Sequence, residues 1–552
     1  MATSIIQAIE KTQQDIPSVK IQKAGVLFYA TATAIKAESE ISIIGIVSAI
    51  AALALITLAF RSFIAIGAVL LTVCIAFLYA LLICIFIYPK VYLLTLAFGT
   101  SLIGMSVDYC LYWLTGSIDD NKSPEDRRRY LFPGMALALL TTILGYALLA
   151  ATPFPVLSQM AVFSIGGLIA AWLSVVLFFP MLNQVQFKKN NFYRIFKVIK
   201  PGFGISNVFS KLALTSLMLS LGVYGAITFK GTDNIRALAS YDPNLVAEQT
   251  AISKLMGLPS PAQFFIISGD SPNEVLLSAE GLSKKLQPLV RGGKISSYQV
   301  ISDYIPSLEF QRKNVESYGK LVDEKVLQKI GKTMDMPGSW VSSQEPSSTM
   351  LTFEEFEKSP LFNQLQGLWF KEDGKNFTAV LLSGISDQST IDELSRMEDV
   401  SISWVNKPNE ISEIFKRYRT LFSILIAIGY IIAFIGISIR YKKEAWRSIA
   451  PPVLATFITI AILSTLGEPI SLLSILAFAL LLGVGTDYGI FLLQYPADER
   501  VTFSITLGAL MSLVSFGTLT ISHVPALHSF GITLLFGISL SWALTIFFSK
   551  KA

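Results

Sequence analysis

Eleven stretches of this chain stay apolar for roughly 20 residues or more, the length a helix needs to cross ~30 Å of hydrocarbon. They lie near 41–60, 63–87, 91–115, 132–152, 156–182, 208–229, 420–439, 448–466, 470–494, 502–522 and 526–549. No other feature narrows the fold so far. In lipid every backbone N–H and C=O must be satisfied within its own segment, so each stretch is expected to be a helix. The composition agrees: 52% of the 552 residues are hydrophobic and 15% are charged, whereas soluble proteins carry about 25% charged residues.

Two of these stretches contain a carboxylate. VYLLTLAFGTSLIGMSVDYCLYWL (Val91–Leu114) holds Asp108 followed by Tyr109, and PISLLSILAFALLLGVGTDYGIFLLQ (Pro469–Gln494) holds Asp487 followed by Tyr488. Gly104 and Gly483 stand four residues before the aspartates, and Tyr112 and Phe491 close the pattern G-x-x-x-D-Y-x-x-aromatic. A charge inside hydrocarbon costs a few kcal/mol on insertion scales and is rarely placed there without a use. A carboxyl withdrawn from water is held more easily as the neutral acid, which brings protonation near neutral pH within reach. A tyrosine hydroxyl hydrogen-bonds the carboxylate and loses that acceptor when the acid is protonated. The competing reading is a pair of structural carboxylates capped by Ser or Thr neighbours.

The basic residues orient the spans. With sides assigned by alternation, residues 1–40 and 230–418 share one side. Short loops on the other side hold Arg61, Lys122, Arg127, Arg128, Arg129, Lys211, Arg440, Lys442, Lys443, Arg447, Arg500, Lys550, Lys551 and the basic run from Lys188 to Lys200. Short loops on the first side hold only Lys90. The positive-inside rule puts 1–40 and 230–418 outside the cytoplasm. The net charge of +5 therefore marks topology, and no nucleic-acid partner is expected.

The halves repeat. Residues 141–172 lie without gaps over 511–542, so that Pro155 falls on Pro525, Leu157 on Leu527, Gly167 on Gly537 and Trp172 on Trp542. Both aspartate spans run inward, so the repeats are parallel. Each aspartate sits about 25 Å along its span at 1.5 Å per residue, hence at similar depth. The expected layout is a tail of a first outer domain (1–40), five spans (41–182), a basic cytoplasmic linker (183–207), a span (208–229), an outer α/β domain (230–418) and five more spans (419–549). By symmetry, a span and most of a domain, on the order of 190 residues, are expected before Met1. Either the sequence is a fragment or a separate polypeptide supplies that part. Residues 1–40 show no signal-peptide pattern.

In the outer domain, Gln263–Ser268, Phe377–Leu382 and Val400–Trp404 are expected strands, and Pro272–Leu289 an amphipathic helix. Residues 19–40 are expected to form a strand and a helix, and Ile411–Arg419 a helix entering the seventh span. The domain has no catalytic constellation. Cys74, Cys84 and Cys110 all lie in apolar runs, which supports neither disulfides nor a thiolate metal site. No Walker motif is present, and no cofactor or metal is expected. His523 and His528, at the outer end of the last two spans, are expected to pack at the interface.

Two Asp-Tyr spans, a split outer domain and parallel halves resemble the resistance–nodulation–division superfamily of exporters, and within it the MMPL-type branch. Leu96–Tyr112 (LAFGTSLIGMSVDYCLY) is similar to the predicted lipid or aryl-polyene exporters of bacterial biosynthesis clusters. The resemblance implies a polytopic α-helical membrane protein of eleven spans in two parallel repeats, with an α/β porter-type domain. It implies a proton relay of Asp108, Tyr109, Asp487 and Tyr488. Gly104, Gly483 and Gly485, as small residues, are expected to let helices pack closely beside it. Thr142, aligned with Ser512, extends a proton path on this view, although Ser and Thr in spans usually bond their own backbone. The implied function is proton-motive-force-driven export of a lipid-like or amphiphilic molecule across or out of the bacterial inner membrane, and a homo-oligomer is compatible with it. Two alternatives stand beside it. One is a non-transporting lipid sensor or accessory subunit on the same scaffold. The other is an intramembrane aspartyl protease, against which the repeated Asp-Tyr order and the parallel spans argue.

Overall fold

The computed structural model describes residues 2–19, 21–118, 123–151, 155–182, 193, 208–229, 231–233, 242–256, 262–323, 326–335, 349–386, 389, 391, 394, 401–496 and 498–549. The basic linker 183–207 apart from Tyr193, and Lys122, Lys550 and Lys551, lie outside the described residues. The chain forms two compact units, residues 1–31 with 241–410, and residues 32–240 with 411–552.

The smaller unit is built on an antiparallel sheet of β1 (Gln263–Gly269), β2 (Ser297–Gln299), β3 (Trp369–Glu372), β4 (Lys375–Ser383) and β5 (Ile402–Asn406), in the order β2-β4-β1-β5 with β3 also on β4. Alternate β1 side chains, Phe265 and Ile267, point into a core completed by Val275, Ala279, Leu282 and Leu286 from the helix Pro272–Arg291. That helix starts where the sequence says it should, because the Ser271 hydroxyl accepts from Glu274 N and Pro272 needs no amide partner. Register sets Phe265 opposite both Val380 and Trp404. The strand expected within 19–40 is not formed. Residues 21–25 have no partner strand among the described residues, and one helix begins at Val26.

The larger unit consists of long helices, numbered in chain order: α1 (Val26–Phe60), α2 (Phe63–Ile87), α3 (Leu93–Gly116), α4 (Pro124–Ala150), α5 (Pro155–Phe178), α6 (Val208–Thr228), α7 (Lys407–Tyr441), α8 (Trp446–Leu466), α9 (Leu472–Gln494), α10 (Glu499–Gly517) and α11 (Pro525–Phe548). Among the described residues nine of them are long and apolar enough to cross a membrane, so the chain is a multi-pass membrane protein. The other two expected spans are helical as well. Side chains 97–103 of α3 lie outside the described residues, and in α6 the described apolar stretch is Ser216–Gly225. Several helices outrun their apolar stretches. Thus α4 starts at Pro124, where Ser123 caps Asp126 N, and α7 starts at Lys407 and continues through Arg419 without a break.

Burial follows pattern. α2 buries a single stripe, Ala65, Val69, Thr72, Ala76, Ala80 and Cys84, against α5 and leaves its large side chains outward. α9 is apolar all round and is enclosed all round: 94% of its apolar stretch is buried, against 22% for α2. The helix contacts occur in matched pairs. α2 packs on α5 as α8 does on α11, α3 on α5 as α9 on α11, α2 on α3 as α8 on α9, and α4 on α9 as α10 on α3. Two polar anchors fix the ends. Arg419 Nε donates to both carboxylate oxygens of Asp233 at 2.9 and 3.0 Å. Buried Gln159 on α5 accepts from Tyr92 N and Thr95 Oγ1, each at 2.8 Å, and donates to Lys90 O at 2.7 Å, holding the start of α3.

Candidate functional site

The site lies where α3 and α10 meet α4 and α9. On α9, Asp487 faces the consecutive threonines of α4. Thr141 Oγ1 donates to Asp487 Oδ1 and Thr142 Oγ1 to Oδ2, each at 2.8 Å. This approach depends on Gly483, where a Cβ would lie 2.8 Å from the Thr142 backbone Cα. The neighbouring backbone is pinned too: Ser448 on α8 donates to Thr486 O at 2.9 Å.

On α3, Asp108 faces α10 instead, and its surroundings differ. Its Oδ1 atom is enclosed and has no hydrogen-bond partner among the described residues. The niche exists because position 508 is glycine, since a Cβ there would stand 2.7 Å from that oxygen. Ser512, the counterpart of Thr142, does not reach Asp108. Its hydroxyl sits beside that of Tyr488, and neither makes a hydrogen bond of ordinary geometry.

Both tyrosines of the Asp-Tyr pairs are enclosed with their acids: Tyr109 is 3% exposed and Tyr488 is fully buried. The aromatics that close the two motifs, Tyr112 and Phe491, stack on one another with ring centroids 3.4 Å apart and planes 15° from parallel. Beyond them, toward the end of the bundle that carries Arg127 and Arg500, Tyr130 and Tyr495 form a second ring pair at 4.4 Å. Gln494 binds this layer together: it accepts from the Tyr441 hydroxyl and donates to the Tyr495 hydroxyl, both at 2.9 Å. Tyr495 in turn donates to Tyr130 O.

The structure thus brings Asp108, Tyr109, Asp487, Tyr488, Thr142 and Ser512 into one region. Gly104 lies tight against Ser515 of α10, where a Cβ would be 3.2 Å from that side chain. Gly485 faces away from α4, toward Ser541 of α11 and Pro452 of α8. Sequence reasoning missed Thr141, although two adjacent threonines in an apolar span were a visible signal. It also missed Gly508 and the Gln494 layer, which only packing identifies.

No protein-family model matches the chain, and no curated protein matches it. Its fold is similar to that of solved membrane proteins. A heavy metal efflux pump matches in two crystal forms, each with a TM-score of 0.57, at 11% and 13% identity, covering 93% and 99% of this chain and 67% and 70% of the pump. SecDF from Thermus thermophilus, a translocon-associated membrane protein, matches with a TM-score of 0.52 at 13% identity, covering 92% of this chain. This chain spans 61% of SecDF's length. Identity at this level speaks for a shared fold.

Proposed function

We propose that this chain is the core of a proton-driven exporter of the MMPL-type branch, working in the bacterial inner membrane on a lipid-like or amphiphilic molecule. In this reading the larger unit has eleven spans in two parallel repeats, and residues 230–418 belong to an extracytoplasmic porter-type domain. The matched helix contacts and the stacking of Tyr112 on its own counterpart Phe491 favour the duplication, since a motif that meets its repeat face to face is what a two-fold axis along the membrane normal produces. The observation that carries the function is the enclosure of both Asp-Tyr pairs inside the protein, Asp487 against Thr141 and Thr142 and Asp108 against Gly508, away from lipid.

The two acids have different tasks. Asp487, bound by two hydroxyl donors, is the acid whose charged form is the better supported of the two. Asp108, whose enclosed Oδ1 has no donor among the described residues, takes up the proton, because an uncharged acid is far cheaper to bury than an unpaired charge. Gain and loss of that proton changes what Tyr488 and Ser512 can bond, and so changes how α3 packs on α10. Each charge that crosses the membrane supplies ~2.3 kcal/mol per 100 mV, enough to drive such repacking when added to a pH gradient. The stacked Tyr112 and Phe491, with the Gln494 layer beyond them, close the site toward the basic end, so the arrangement seen is shut on that side.

The test is uptake of a fluorescent phospholipid analogue by energised inverted vesicles containing the protein. Uptake that collapses with a protonophore and is absent in Asp108→Asn supports the exporter. Uptake that persists in Asp108→Asn ends the relay. A second reading, an accessory subunit that moves no amphiphile, is favoured by the likeness to SecDF. It would show as proton flux across sealed vesicles with no movement of the analogue.

A further inference from the structure

The basic ends of α7, α9 and α11 enclose a cavity of about 300 Å³ that the relay does not use. Its rim carries Arg440 and Arg447, and its wall is made by Leu492, Leu493 and Pro496. Within 440–447 the cations Arg440, Lys442, Lys443 and Arg447 stand against Glu444 alone. That glutamate lies 2.8 Å from Arg447 Nε, so it offsets one cation and leaves the rim positive. Both guanidinium groups lie over rings of the adjoining residues, Arg440 over Tyr441 at 5.8 Å and Arg447 over Trp446 at 5.6 Å. Trp446 is 44% exposed and meets Phe548 edge-on at 5.7 Å. An amphipathic ring in that position is what marks the headgroup level of a bilayer.

Charge is not shared by every hollow of the bundle: a far smaller one carries Arg127 and Arg500 with Asp498, whereas the one of comparable size carries none in its lining. A second cavity of similar size, about 260 Å³, lies between α2 and α5 and is lined by Ile64, Leu71, Ile75 and Phe178 with no charged side chain. A hollow in the bundle surface is therefore not basic by default. Paired guanidinium forks match phosphate oxygens bidentately, and basic pockets between membrane helices are suited to phosphorylated headgroups. The leucine wall beside the arginines would receive the first carbons of an acyl glycerol.

We propose that the cavity among α7, α9 and α11 binds a phosphate-bearing anion, with Arg440 and Arg447 as its ligands. Two sources share this chemistry, an anionic phospholipid headgroup and a soluble phosphate ester. The inference stands whether or not the protein moves protons. The experiment reads thermal unfolding of the full chain in phosphatidylcholine nanodiscs as phosphatidylglycerol is added stepwise. The lipid should stabilise the protein, and Arg440→Gln with Arg447→Gln should raise the half-saturating fraction roughly 30-fold, at the ~1 kcal/mol per cation expected near a membrane surface. Glu444→Gln should lower it. Arg128→Gln with Arg129→Gln, an equal loss of charge in the other half, should leave it unchanged. If millimolar glycerol 1-phosphate displaces the effect, the soluble ester is a ligand; if it does not, the acyl-bearing headgroup is. Equal sensitivity of the two double variants, or no stabilisation of the unaltered protein, would overturn the assignment.

Discussion

Asp108 and Asp487 occupy equivalent places in two copies of one motif, yet their surroundings have diverged. Asp487 meets two threonine hydroxyls at 2.8 Å each. Asp108 meets a glycine, and its Oδ1 has no donor among the described residues. Under the proposed duplication the two acids began alike; the proposed cycle needs two that differ, one to hold charge and one to exchange it. The difference resides in the partner helices. The α4 segment places Thr141 and Thr142 where the equivalent α10 segment places Met511 and Ser512. What separates the two halves is therefore the helix opposite each acid rather than the helix that carries it.

The largest effects should come from the acids themselves. Asp108→Asn and Asp487→Asn should each reduce transport of the fluorescent analogue to background while the protein still inserts, measured as uptake per amount of membrane-extracted protein. Next, Met511→Thr with Ser512→Thr gives α10 the two threonines that α4 carries and tests whether hydroxyls there turn to Asp108 as those of α4 do to Asp487. Each hydrogen bond to a charged group contributes about 1.5–3 kcal/mol, so the two acids would then be matched, and uptake should fall by at least about tenfold. Undiminished uptake in this symmetrised protein would show that the divergence of the two niches has no functional weight. Thr141→Val with Thr142→Val tests the other side. It leaves Asp487 buried without donors and should cut uptake about tenfold, with a lower unfolding midpoint because a buried charge has lost its partners.

How much of this could be read from the sequence depended on the range of the interaction. The helices were legible because hydrocarbon forces every apolar run of spanning length into one conformation, and the motif was legible because it lies within nine residues of each helix. The β1 strand and the helix Pro272–Arg291 were legible from alternation and from the Ser271 cap. The strand looked for within 19–40 failed because a strand needs a neighbour, which no local pattern supplies. Gly508 was invisible for the same reason: it matters only through the acid that α3 lays against it. Thr141 was overlooked beside Thr142 because only Thr142 has a hydroxyl counterpart, Ser512, in the aligned segment, whereas Thr141 falls on Met511. Adjacent residues 100° apart on a helix can both reach a carboxylate that lies between them, and here they take one oxygen each.

The smallest expected effect discriminates most finely. Ser512 is the counterpart of Thr142, and a symmetric relay would give the two hydroxyls the same task. In the structure Ser512 makes no hydrogen bond to Asp108, and its hydroxyl lies beside that of Tyr488. Removing it therefore leaves no acceptor on Asp108 newly bare, and the Tyr488 hydroxyl is already without a partner. Ser512→Ala should change analogue uptake by less than about twofold, because the loss of a hydroxyl that makes no bond forgoes little of the usual ~1 kcal/mol. Thr142→Val alone should cost several times more. Equal losses in the two single variants would mean that Ser512 turns to Asp108 at some other point in the cycle, and the division of tasks between the two acids would then have to be given up in favour of one in which they take turns.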